Sequence, residues 1–116
     1  MTQLKQQVAG QIIFDEFKKL DIYIGQIIGT ELIKGANKLI ELNIDIGDRI
    51  IHCVASLISY YKSGELKGKS IAVLVNLKSA KLKVTISEAM ILALVAKKSV
   101  MILIPDGEVE PDSKIN

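Results

Sequence analysis

The chain of 116 residues contains one cysteine, one histidine, one arginine, two prolines, no tryptophan and only five aromatic residues. A lone cysteine forms no internal disulfide, which removes the stapled secreted folds and makes the cytoplasm the expected location. One His and one Cys fall short of the roughly four ligands that structural zinc requires, so no metal is expected, nor any other cofactor. The opening Met1-Thr2-Gln3-Leu4-Lys5-Gln6-Gln7-Val8 lacks the apolar core of a signal peptide. No apolar run approaches the ~20 residues that cross a bilayer, so a soluble protein without a membrane partner is expected.

Catalytic groupings are also scarce. Gly64-Glu65-Leu66-Lys67-Gly68-Lys69-Ser70 imitates a phosphate-binding loop, yet it has three residues between its glycines where that loop needs four, and it leads into a strand rather than a helix. His52 and Cys53 are neighbours on an expected strand, so they point to opposite faces and cannot form a thiolate–imidazole pair; one of them belongs to the core. Glu65 and Glu88 stand isolated in basic sequence and form no carboxylate pair, which leaves Glu88 to orient a lysine or a backbone amide. No enzyme is expected.

What is present is apolar residue in quantity, 49% of the chain. At this length that suffices for one compact domain over residues 1–116, with 1–13 as an N-terminal extension. Val8, Ile12, Ile13, Phe14, Phe17 and Leu20 predict one or two helical turns ending near Lys19. From Asp21 to Ile33 the pattern is strand, and Gly25 and Gly29 within it predict bulges or a barrel bend. Ile40, Leu42, Ile44 and Ile46 alternate with Glu41, Asn43 and Asp45, the cleanest period of two in the chain; Gly47-Asp48 then turns it into Arg49 to Val54 as a hairpin. Ser56 to Lys69 reads as a turn with a short helix, and Ser70 to Leu77 as a strand. Glu88 to Ala96 is apolar enough for a buried strand, paired through Lys97-Lys98-Ser99 with Val100 to Ile104. Short strands with one helical interruption suit a small all-β barrel, and the five-stranded OB-fold is the natural candidate, with a short N-terminal helical segment and a C-terminal hairpin extension.

The net charge of +2 conceals an uneven distribution. Up to Tyr61 six cations meet seven anions; from Lys62 to Lys98 eight lysines face only Glu65 and Glu88; the tail is acidic again. Lys78, Lys81 and Lys83 share one polar gap between strands, where a phosphate backbone could reach several at once.

That gap lies in Asn76-Leu77-Lys78-Ser79-Ala80-Lys81-Leu82-Lys83-Val84-Thr85-Ile86-Ser87-Glu88-Ala89-Met90-Ile91-Leu92-Ala93. The segment resembles the signature N-L-K-P-R-K-L-x-G-x-x-S-E-G-M-x-L-A of the tRNA-binding domains found beside methionyl-tRNA synthetases and in free-standing tRNA-binding proteins. Phe14 to Gly25 is similar to the family's opening, an aromatic-rich short helix before D-[LI]-R-V-G, with Tyr23 in place of Arg. Lys34-Gly35-Ala36-Asn37-Lys38-Leu39-Ile40-Glu41-Leu42 is similar to P-G-A-D-K-L-x-x-L, and Leu66-Lys67-Gly68-Lys69 to L-x-G-K. Pro105-Asp106 and Pro111-Asp112-Ser113-Lys114-Ile115 match the closing P-D and P-x-S-x-I. The chain departs from the family at Ser79-Ala80 for Pro-Arg, at Val84 and Ala89 for glycines, and at Cys53 to Leu57, which lacks V-S-G-I. Loss of the loop Arg removes a bidentate phosphate donor that Lys does not replace.

The resemblance implies an OB-fold that binds the outer corner of tRNA without reading an anticodon. It implies action as a homodimer or in trans as a beta-type subunit of methionyl-tRNA synthetase. By motif match, Asn76, Lys78, Lys81, Lys83, Ser87, Glu88 and Met90 form the RNA-facing loop and strand entry, and Lys34, Asn37 and Lys38 add a second rim contact. Val100 to Ile104 and the tail are the implied dimer contact. Export-related chaperones resemble the same fold, so a protein-interaction module that has lost strong RNA binding is the alternative.

Overall fold

The computed structural model describes residues 10–33, 35, 39–56, 61, 63–78, 80–82 and 85–116. One helical turn, α1 (Phe14–Phe17), precedes β1 (Ile22–Leu32). The Glu16 carboxylate supports the turn by reaching back to accept from the Ile13 amide at 3.1 Å, and the Phe14 and Phe17 rings stack on each other. A chain of this kind gains little from one unpropagated turn.

The alternating segment forms the expected hairpin. Strands β2 (Ile40–Asp45) and β3 (Ile50–Ala55) pair antiparallel from Ile40↔Ala55 to Asp45↔Ile50. Ile40, Leu42 and Ile44 are fully buried, while Glu41, Asn43 and Asp45 face outward. At the hairpin end Gly47 has φ +103°, a conformation that favours glycine, and its amide donates to Asp45 Oδ1 at 2.8 Å.

Strand β1 changes partner along its length. Its second half pairs with β2, and the register slips between Ile27 and Gly29, so Ile28 is the extra residue of a bulge. Its first half pairs with β4 (Ser70–Leu74) from Ile22↔Leu74 to Gln26↔Ser70. Gly25 occupies the bend for a steric reason: a Cβ there would stand 2.5 Å from Ile44 Cγ2. The expected β4 ends earlier than its apolar pattern, at Leu74.

After β4 come β5 (Ala80–Leu82), β6 (Thr85–Ser87), β7 (Met90–Ile91), β8 (Ala93–Ala96), β9 (Ser99–Ile102) and β10 (Lys114–Ile115); a second short helix, α2 (Ser63–Leu66), lies between β3 and β4. The main sheet runs β3-β2-β1-β4-β7, with β10 also pairing with β1. It curls until β3 meets the chain entering β7. There the Glu88 amide donates to the His52 carbonyl at 2.9 Å, the His52 amide donates to Glu88 Oε2 at 3.0 Å, and the Cys53 thiol donates to the Ala89 carbonyl at 3.2 Å. Five strands thus make a nearly closed barrel, the OB-fold, around Ile27, Ile40, Leu42, Ile44, Leu66, Ile71 and Val73.

The segment from Glu88 to Ala96, expected as one buried strand, is not one. It breaks at Leu92 into β7 and β8, and β8 with β9 forms a separate two-stranded ribbon. Leu94 and Met101, paired across that ribbon, remain 53% and 49% exposed. An apolar run has the same sequence signal whether it fills a core or awaits a partner.

Candidate nucleic-acid interface

The barrel holds the basic signature at its seam. Lys78 is exposed just beyond β4. The chain then forms the β5–β6 hairpin, with Ala80↔Ser87, Lys81↔Ile86 and Leu82↔Thr85 in register, and returns to β3 at Glu88. The hairpin therefore carries Lys81 on β5 and Ser87 on β6, and Met90 follows on β7, 52% exposed rather than buried as filler. Lys34, Asn37, Lys38 and Lys83 lie outside the described residues.

Two signature residues perform structural work. The Asn76 amide oxygen accepts from the Asp21 amide at 3.0 Å, and its nitrogen donates to the Lys19 carbonyl at 2.6 Å. Asn76 thereby ties the link between α1 and β1 to the end of β4 and fixes where Lys78 begins. Glu88 spends one carboxylate oxygen on the His52 amide, the backbone role expected of it, and so anchors the foot of the hairpin.

Sequence reading passed over the neighbours of His52. Its Nδ1 lies 2.6 Å from Asn43 Oδ1 and 3.8 Å from Glu41 Oε1. The signal was available in principle, since the hairpin register sets Asn43 opposite His52. With Glu41, Asp45 and Glu88, this outer face of β2–β3 is anionic. A polyanion would be repelled there. Cys53 is 1% exposed in the core, as the opposite-face argument required.

Among the described residues no group of three or more His, Cys, Asp or Glu could hold a metal ion, and no helix is long and apolar enough to cross a membrane.

Comparison with known proteins bears on this geometry directly. Residues 22–114 match the family described as "Putative tRNA binding domain". The chain is 40% identical over 111 residues to a methionine–tRNA ligase of Archaeoglobus fulgidus, covering 96% of this chain and 17% of that enzyme. It is 41% identical over 107 residues to that of Methanosarcina acetivorans, covering 90% and 15%. The chain thus spans less than a fifth of the length of these relatives. Among solved structures, a MetRS related protein from Pyrococcus horikoshii superposes with a TM-score of 0.85 at 27% identity, covering 90% of this chain and 97% of that one. A CsaA chaperone protein from Picrophilus torridus gives 0.84 at 33% identity, covering 91% and 100%.

Proposed function

This chain belongs to the tRNA-binding domain family, and we propose that it is a non-catalytic module that grips tRNA by shape and backbone charge and serves methionyl-tRNA synthetase in trans. The observation that carries this reading is the basic hairpin: exposed Lys78 and the strand bearing Lys81 leave a seam anchored by Glu88, beside an anionic sheet face. Cations gathered on one arm can follow a phosphate backbone, and such a contact requires no sequence readout. Asn76 and Glu88 hold the arm in place, and Ser87 and Met90 flank it. Lys34, Asn37 and Lys38 belong to the same proposal as a second rim.

The test is a titration of labelled tRNA at low and moderate salt, with the Lys78→Ala, Lys81→Ala, Lys83→Ala triple variant alongside. Loss of three phosphate contacts should weaken binding by roughly tenfold to a hundredfold and flatten the logarithmic salt slope by about two to three. Absence of binding by the unaltered protein at low salt would sink the proposal.

The reading includes a homodimer, since two copies on one tRNA gain effective concentration that a weakly basic monomer lacks. Its support is the exposed apolar pair Leu94 and Met101 on the β8–β9 ribbon, with Leu103 and Ile104 exposed just beyond. Changing both Leu94 and Met101 to Asp should halve the mass measured by light scattering and leave the circular dichroism spectrum unaltered. An unchanged mass would remove the ribbon from the interface.

Similarity to the CsaA chaperone protein favours a second reading, a protein-interaction module on the same barrel. Replacement of the loop Arg and Gly by Ala80 and Val84 fits a surface relieved of RNA. Suppression of the aggregation of an unfolded test protein, without tRNA binding, would select it.

A further inference from the structure

The barrel has an open end where β1 begins, β2 turns into β3, and β4 ends. A cavity of about 340 Å³ lies there. Its floor is apolar and aromatic. Tyr23, Gly25 and Ile27 alternate onto the inner face of β1, because a Cβ on Gly25 would meet Ile44 and Ile46 while Ile27 is fully buried. Tyr23 is consequently the last inward side chain of β1, half-buried, and it lines the cavity with Ile46 and with Val75, which packs against the core. The rim is polar, formed by Arg49, Asn76 and three aspartates.

Those aspartates are not equivalent. Asp48 lies 3.6 Å from Arg49, and Asp21 lies 3.7 Å from Lys114. Asp112 has no ion pair among the described residues, and its φ of +78° places it against Gly47 at the cavity edge. An aromatic wall stacks on a planar ring, and a free carboxylate on the rim accepts hydrogen bonds and donates none. Of the nucleobases, only guanine presents two adjacent donors, N1–H and the N2 amino group, on one edge. Adenine and cytosine set a ring acceptor beside their amino group, which a carboxylate repels.

We propose that this barrel-end cavity is a guanine-binding pocket, in which Tyr23 stacks on the base and Asp112 accepts from its Watson–Crick edge. As a subsite for an unpaired guanine of RNA it rests on the tRNA-binding reading; as a pocket for a free guanine nucleotide it stands apart from that reading. Asn76 joins the two regions, because it lines the cavity and directly precedes the segment that leads to Lys78. A strand lying along the lysines could therefore turn one base into the barrel end. Arg49 is placed to meet the phosphate or ribose that remains outside.

The experiment follows backbone amide shifts of labelled protein during titration with GMP, AMP and CMP, and with a uridine oligonucleotide carrying one central guanine or adenine. Shifts at Asp48, Arg49 and Asn76 should saturate with GMP, and AMP should bind roughly tenfold more weakly. Tyr23→Ala should weaken guanine binding roughly tenfold, whereas Tyr23→Phe keeps it. Asp112→Asn should equalise GMP and AMP; because asparagine tolerates positive φ, this variant keeps the backbone and gives a reading even if Tyr23→Ala fails to fold. The tighter of GMP and the guanine oligonucleotide identifies the natural source. Equal titration by GMP and AMP in the unaltered protein, or shifts indifferent to both Tyr23→Ala and Asp112→Asn, would overturn the pocket. The two failures are separable: salt-sensitive tRNA binding with no guanine preference removes the pocket alone, and guanine binding without tRNA binding removes the tRNA reading alone.

Discussion

Ile44→Ala is expected to cost about 2–5 kcal/mol of stability, read as a lower denaturation midpoint at unchanged slope. Ile44 is fully buried near the end of β2, pairs with Ile27 of β1, and packs in a core of branched aliphatics that cannot collapse around the lost carbons without moving the strands. Its Cγ2 also fills the place where Gly25 has no side chain. Gly25→Ala alone should therefore destabilise by about 1–3 kcal/mol through overpacking. In the Ile44→Ala background that penalty should shrink, because the atom closest to the new methyl is gone. A double-mutant cycle with no coupling would contradict this account of the bend.

Gly47→Ala should be comparably damaging, for two reasons that add. Its φ of +103° strains any L side chain, and the new Cβ would stand 2.4 Å from the Cβ of Asp112. That neighbour is no flexible tip: the Asp112 amide donates to the Ile24 carbonyl at 2.9 Å, so relief requires the C-terminal segment to leave β1. Backbone strain and overlap together put the loss at about 2–5 kcal/mol, with early proteolytic clipping of the tail. Gly35→Ala is the control. Its φ is also positive, +82°, but among the described residues a Cβ there meets nothing within 4 Å, so only the strain of about 1 kcal/mol is expected. Equal thermal shifts for the two variants would show that contact with Asp112 is irrelevant.

The barrel was readable where one face is buried and the other wet. Ile40, Leu42 and Ile44 against Glu41, Asn43 and Asp45 determine strand, register and face at once, and the glycines of β1 marked its bend and bulge. Pattern says less where the two environments do not differ. The strand expected from Ser70 to Leu77 forms but ends at Leu74, with consecutive Ile71, Ala72 and Val73 all buried, whereas along β8, expected as part of a buried strand, an equally apolar sequence lies largely exposed. The candidate site divides in the same manner. A lysine cluster is local and can be counted. Asn76 bonding to residues 19 and 21, or Glu88 to His52, depends on contacts across the barrel that no local pattern contains. The base-sized slot lies further still from sequence, since Tyr23, Arg49 and Asp112 meet only after the sheet has curled.

Strand β1 has a consequence for how the molecule assembles. Its first half finds β4 only after some fifty residues and β10 only when Ile115 reaches Ile22. Until then one edge of an apolar strand stays unpaired, and closing such distant loops is what slows a β-rich chain. The local β2–β3 hairpin, available at once on its other side, gives the nascent strand a first partner and shortens its exposure to self-association.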